Sequence, residues 1–234
     1  MPDKHFLLAL RLRLRMRVCP PGATCQHKRS DGTICGEALD PLGAHALKCS
    51  VGSSRTRRHN QLRDWLADLI RTLSGQAAEI EQRVPAWDRW LPCSCAGACD
   101  CELDAGRQAR GKMELAVLDV ATRDPSSGQP LFLDATVKCS HSIDPARQLA
   151  RSRRNGAGAE DAARDKHHRY PGGGLTAVAL EAHGRPAEET VAFIRGFGAA
   201  ALEKYPSSGL GSVWQGLSTT LQVGNAEMLL SALV

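Results

Sequence analysis

Downstream of Arg58 the apolar residues change their spacing in a set order: helical, three times strand-like, helical, strand-like, then helical twice. A chain with that order buries its apolar faces as a mixed α/β sheet flanked by helices. Residues 59–73 put Leu62, Trp65, Leu66, Leu69, Ile70 and Leu73 at helical spacing, and Gly75 follows as a stop. Residues 77–84 read as a strand ended by Pro85. Residues 113–120 and 131–137 are apolar strands, and Asp124-Pro125-Ser126-Ser127-Gly128 between them is hairpin chemistry. Asp144 as N-cap and Pro145 at the first helical position open a helical region that pauses near Gly156 and Gly158 and resumes over 159–170. Residues 175–181 form a last strand, and 186–204 and 213–233 are helices with apolar faces. A polar, cysteine-bearing stretch at 87–111 reads as a loop or insertion, with Trp87 and Trp90 capping the core beside it.

The first quarter of the chain is different. Residues 1–58 carry 11 Lys+Arg and 4 Asp+Glu, against 19 and 21 in the remainder, so the excess positive charge lies ahead of the α/β region. Of the 30 basic residues 23 are Arg, whose planar fork grips phosphate with two donors at once. This points to a polyanionic partner. Residues 10–18 alternate apolar side chains with Arg, which as a strand or extended arm puts four guanidinium groups on one face. The sequence has no membrane-spanning apolar run, and residues 1–18 lack the unbroken apolar segment of a secretory signal.

Four of the nine cysteines fall between Cys19 and Cys49, four within 93–101, and Cys139 stands alone. An odd number of thiols without a secretory signal argues for metal binding over a disulfide framework. Cys25, Cys35, His45 and Cys49 offer three thiolates and an imidazole, the donor set of a closed structural zinc site. Cys19 and His27 are alternatives to Cys25, because Cys25 and Cys35 are far apart for a knuckle. Cys93, Cys95, Cys99 and Cys101 form either a second, soft-metal site or an oxidisable loop.

Acids inside the apolar strands are the other anomaly. Glu114 and Asp119 lie on opposite faces of the second strand, and Asp134 interrupts the apolar third. A buried carboxylate is costly unless a cation faces it, either a buried Arg or a metal. Two acids on adjacent hairpin strands can converge on one Mg2+, which takes a carboxylate or two and phosphate oxygens.

Glu79-Ile80-Glu81, Lys112-Met113-Glu114-Leu115, the Asp124-Pro125 turn and Leu133-Asp134-Ala135-Thr136-Val137, in that order, resemble the PD-(D/E)xK nuclease core. With Cys35-Gly36 and His45-Ala46-Leu47-Lys48-Cys49 ahead of them, the likeness narrows and covers almost the whole chain. It is similar to the endonuclease region that follows the reverse transcriptase in site-specific non-long-terminal-repeat retrotransposons, which is also preceded by a zinc knuckle. The resemblance implies a restriction-endonuclease-like αβββαβ core with a mixed sheet, plus a small N-terminal knuckle module. Residues 1–57 would be the basic arm and knuckle, and 58–234 the nuclease-like domain with 87–111 inserted.

The same resemblance implies roles. Glu114 matches the first metal-binding acid, with Asp119 as the fallback if the register is off by one face; Asp134 matches the second, and Glu81 the supporting acid. Thr136 stands where the usual lysine belongs, and Lys138 is about 13 Å from Asp134 along the strand. Lys166, on the following helix, matches the migrated lysine of some members. Arg55, Arg57, Arg58 and His59, at the start of the first core helix, would contact phosphate. The expected function is Mg2+- or Mn2+-dependent DNA cleavage with a structural Zn2+, DNA or RNA as partner, and a nuclear location. Glu in place of Asp and the broken D-x-K triplet support an alternative, a catalytically decayed nuclease fold that only binds nucleic acid. A zinc protein that binds another protein is the third reading.

Overall fold

The structure, a computed structural model, describes residues 3–93, 102–104, 109–141, 145–204 and 209–234. Asp144 and three of the clustered cysteines, Cys95, Cys99 and Cys101, lie outside the described residues. In chain order the elements are α1 (Asp3–Arg13), α2 (Ala44–Lys48), α3 (Ser54–Ser74), β1 (Glu79–Arg83), a 3-10 turn (Pro85–Trp87), β2 (Arg89–Pro92), β3 (Glu102–Asp104), β4 (Ala109–Glu114), β5 (Val117–Arg123), β6 (Pro130–Lys138), α4 (Pro145–Ser152), α5 (Ala157–Arg169), β7 (Leu175–Glu181), α6 (Glu188–Lys204) and α7 (Leu210–Leu233).

The main sheet runs β1-β5-β6-β7, with β1, β5 and β6 antiparallel and β7 parallel to β6. Antiparallel β5 and β6 need only the Asp124–Gly128 turn, where Asp124 Oδ1 caps the amides of Ser126 and Ser127. The parallel partner β7 requires a crossover, which α4 and α5 provide. The result is an α/β mixed sheet flanked by helices, as expected, but the stretch at 87–111, read as a loop or insertion, also carries β2, β3 and the start of β4.

The periodic face of α3 explains the main core. Leu62, Leu66, Ile70 and Leu73 pack with Val120, Leu133 and Val178 of the sheet and with Ile194, Leu217 and Leu221 of α6 and α7. At the end of α3, Gly75 adopts φ 67° and its amide bonds Arg71 O at 3.1 Å. Against the other face, Ala159, Ala162 and Ala163 of α5 meet Ala177 and Ala179 of β7, small residues that let helix and sheet approach closely. Trp87 packs edge-on to Phe132 at 5.2 Å and beside Tyr170 at 6.1 Å, as a core cap.

Two expectations are corrected. The apolar stretch at 113–120 is not one strand: it breaks at Leu115 and Ala116. Met113 pairs with Trp90 in a small β2-β4-β3 sheet, whereas Leu118 pairs with Gln82 in the main one. The Ala116 amide is held at the switch by Asp88 Oδ1 at 2.7 Å, and its carbonyl by the Val84 amide at 2.8 Å. The alternating segment at 10–18 is helical up to Arg13, not a strand. Leu8 and Leu12, one turn apart, pack with Leu229 and Leu233 of α7, and burying that stripe outweighs the alternation. Leu10, Leu14 and Met16 are left exposed.

The N-terminal residues share this second core with α7: Val18, Cys19, Cys25, Leu39 and Leu47 lie against Leu229 and Ala232. The expected module boundary after residue 57 falls inside α3. Among the described residues no helix is long and apolar enough to cross a membrane.

Gly43, at the N-cap of α2, has φ 72°, and a Cβ there would meet Leu229 Cδ2 and Val18 Cγ2. Gly36 has the same φ of 72° but open space around it. Gly43→Ala is expected to cost about 2–4 kcal/mol, strain plus overpacking, and Gly36→Ala only about 1 kcal/mol. Denaturant unfolding of the two variants measures the difference, and equal losses would contradict the packing account.

Candidate functional site

Cys25, Cys35, His45 and Cys49 converge, with their donor atoms all within 4.8 Å of one another. Cys25 Sγ lies 3.8 Å from Cys49 Sγ, and Cys35 Sγ lies 3.5 Å from His45 Nε2. A tetrahedron with Zn–S bonds of about 2.3 Å has edges of about 3.8 Å, so the donor set fits a metal such as zinc. Local chemistry builds the site. Cys25 and Cys35 lie on antiparallel bridged segments, the Gly36 amide bonding Cys25 O at 2.9 Å. Asp40 caps the amides of Ala44 and His45 at the start of α2, which then presents His45 and Cys49. Burial pushes the Cys25 thiol up to about 12, and the thiols of Cys49 and Cys35 add to the rise. Burial also raises the Cys49 thiol, and two such neighbouring thiols ionise together only around a cation. The alternatives are used elsewhere: Cys19 is buried in the second core, and His27 Nε2 contacts Met228 O and Ser231 Oγ.

The second group lies on the main sheet. Ile80 pairs with Val120 and Gln82 with Leu118, which brackets Glu81 opposite Asp119. Val120 pairs with Leu133, and one step further along the strands are Asp119 and Asp134. Backbone pairing stops there. Instead Asp119 Oδ2 accepts the Ala135 amide at 2.6 Å, a side chain standing in for a ladder bond. Three acids therefore line up across β1, β5 and β6. Each has a basic side chain against it. Lys166 Nζ of α5 is 2.8 Å from both oxygens of Asp134, and His59 Nε2 is 2.9 Å from Asp119 Oδ1. Arg63, one turn beyond His59 on α3, holds Glu81. Glu81 sits at φ 54°, a left-handed conformation that is strained for a non-glycine residue.

Asp119 and Asp134 are buried, and each influences the other's ionisation. Burial lifts Asp134 to about 6, with the neighbouring Asp119 adding to the rise and Lys166 opposing it. Burial also acts to raise Asp119, but the hydrogen bond and charge of His59 and the Ala135 amide hold it below the ordinary value. One carboxyl of the pair is thus the readily ionised member.

Above this pair opens a cleft of about 790 Å³. Lys48 of α2, Arg55 and Arg58 of α3, Lys138 of β6, Arg151 of α4 and Lys166 of α5 line it, with His59 and His141. No aspartate or glutamate is among its described lining residues. Lys166 and His59, which line it, are the residues that contact Asp134 and Asp119.

The expected residues fare as follows. Asp134 and Lys166 come together, and Glu81 stands in the same row as the acids. Glu114 does not join them. It ends β4 in the small sheet, where Arg89 Nε at 2.6 Å and Arg169 Nη2 at 2.9 Å hold it, and Asp119 takes the place expected for it. The cause is the strand break at Leu115, which makes the core strand start at Val117. Arg55, Arg58 and His59 line the cleft, whereas Arg57 is exposed and donates to Ser54 Oγ at 3.1 Å. His167 pairs with Glu189 near the surface. Arg151 and His141 carried no sequence signal, being isolated cations in unrelated segments. Lys138 had one, its shared strand parity with Asp134. No family model and no curated protein matches this sequence.

Two measurements check these sites. The protein is expected to bind one equivalent of Zn2+ at the Cys/His cluster; Cys19→Ser should keep it and Cys49→Ser should lose it, as read by elemental analysis. Asp134 binds its proton more tightly folded than unfolded, so its neutral form stabilises the fold below about pH 4 and that stability is lost as pH rises through about 6. In divalent-free buffer, the stability of the wild type relative to Asp134→Asn should fall by up to about 3 kcal/mol between pH 4 and 7. A flat difference would mean that the acid pair is not coupled as described.

Proposed function

We propose that the chain is a metal-dependent endonuclease that hydrolyses DNA phosphodiesters, resembling the PD-(D/E)xK nucleases of site-specific retrotransposons. The observation that carries this reading is the placement of Asp119, Asp134 and Lys166 beside a cationic cleft that has no acid among its described lining residues. Buried acids with positive side chains above them suit a divalent cation next to a bound phosphate. Asp119 and Asp134 would hold Mg2+ or Mn2+, with Glu81 supporting at the exposed end of the row. When bound, that cation supplies Lewis-acid polarisation of the phosphate and acidifies water.

The remaining steps belong to the side chains. Lys166, displaced from full pairing with Asp134 once a cation shares the carboxylate, orients the attacking water or stabilises charge on the phosphoryl oxygens. His59 orients Asp119 through Nε2. Arg55, Arg58, Lys48 and Lys138 hold the backbone phosphates on either side, and DNA is the expected polyanion, with a nuclear location following from it. The Cys/His cluster takes Zn2+ in a structural role.

Asp134→Ala and Asp119→Ala are each expected to reduce Mg2+-dependent plasmid nicking at least 100-fold while DNA binding persists. Glu114→Gln, which breaks a contact between β4 and α5, should lower thermal stability and leave the nicking rate within a few-fold. Nicking unchanged in both aspartate variants would sink the active-site assignment. Salt-sensitive DNA binding with no nicking by the wild type, in either Mg2+ or Mn2+, would favour the binding-only alternative.

A further inference from the structure

Arg58 is an unusual residue for a nucleic-acid contact, because it is buried, at 3% exposure. Its guanidinium donates to Asn225 Oδ1 of α7 at 2.8 Å and to the Leu47 carbonyl of α2 at 3.3 Å. Both acceptors are neutral, and among the described residues no carboxylate pairs with it. A buried cation without a counter-charge is expensive. The same side chain lines the cationic cleft, where an anion would supply that charge.

Leu47 is equally placed. It lies two residues after His45 and two before Cys49, both members of the metal cluster. Lys48, between Leu47 and Cys49, also lines the cleft. The helix that carries them, α2, has only five residues, too few to hold its shape alone. Its position rests on Asp40 at the start, on Ala46 and Leu47 packed in the second core, and on the two ligands that a metal would tie down.

We propose that a metal in the Cys25–Cys35–His45–Cys49 cluster and a phosphodiester ligand in the cleft bind cooperatively, with Arg58 as the shared part. The metal fixes Leu47, whose carbonyl then holds the Arg58 guanidinium where the phosphate meets it. The ligand in turn neutralises Arg58 and so favours the arrangement of α2 that the metal needs. The proposal rests on the phosphate-binding half of the proposed function and is independent of hydrolysis.

Co2+ is the probe, because thiolate ligation gives it a visible absorption that reports its own binding. The full chain is titrated with Co2+ in a metal-buffered, Mg2+-free solution, with and without a short DNA duplex; the duplex is then titrated with and without Co2+. Duplex is expected to tighten Co2+ at least fivefold, and Co2+ to tighten duplex by the same factor, since coupling is reciprocal. Arg58→Lys, which keeps the charge and loses the fork, should bring both factors below two while Co2+ alone binds as in the wild type. Lys48→Ala should weaken duplex binding and keep the coupling. Wild-type factors below two, or no duplex binding by the Co2+-loaded protein, overturn the proposal whether or not Arg58→Lys folds. Coupling in a protein that never cleaves DNA would remove the nuclease reading alone, and cleavage without coupling would remove this proposal alone.

Discussion

Two carboxyl groups buried side by side between adjacent strands are the constraint around which the α/β body is arranged. Asp119 and Asp134 cannot both be charged there without cations, and Lys166, His59 and Arg63, the last through Glu81, reach the row from two different helices. The pairing of β5 with β6 gives way at this point, and a carboxylate replaces a backbone acceptor. A protein selected only for stability would place apolar residues at both positions, since a well-packed apolar substitute commonly matches or beats a buried charge cluster. Such a costly cluster is what the proposed catalytic site would require.

The cleft above it is a composite. Its cations come from α2, α3, α4, α5 and β6, so no single segment makes its lining. The Cys/His cluster and the sheet meet through α7, whose C-terminal turns pack under the cluster while Asn225 holds Arg58 and also reaches the Ala182 carbonyl at 2.6 Å after β7. Lys48, Arg55 and Arg58 from the basic first quarter of the chain line the cleft, whereas the arginines of residues 11–17 are not among its lining residues.

The sheet was largely legible because its signals are local and redundant. Strand 175–181, the Asp124–Gly128 turn and the stripe of α3 each carry their own spacing and stop signals. So was the donor set of the metal cluster, which chemistry limits to few residue types. What could not be read depends on distant partners. The helical form of α1 follows from α7, more than 200 residues away, and nothing near Leu10 announces it. Glu114 and Asp119 are both acids in one apolar stretch, and choosing between them required the strand break that Asp88 and Val84 impose. Arg58 looked like one of several surface arginines until its contact with Asn225, 167 residues along the chain, placed it inside.

The left-handed backbone at Glu81 has a consequence for encounters between molecules. β1 is the outer strand of the main sheet, and Ile80 beside Glu81 is 45% exposed. A flat outer strand offers its free amides and carbonyls to any other extended chain. The left-handed residue at Glu81 interrupts the regular backbone of that row near its midpoint, while its side chain is held by Arg63 of α3. At the opposite border the chain folds back so that Pro186 bridges to Leu180 and fills the edge of β7 itself. The residue that completes the row of acids thus also breaks the regularity of the outer strand, so that one backbone angle shapes both the site and the border of the sheet.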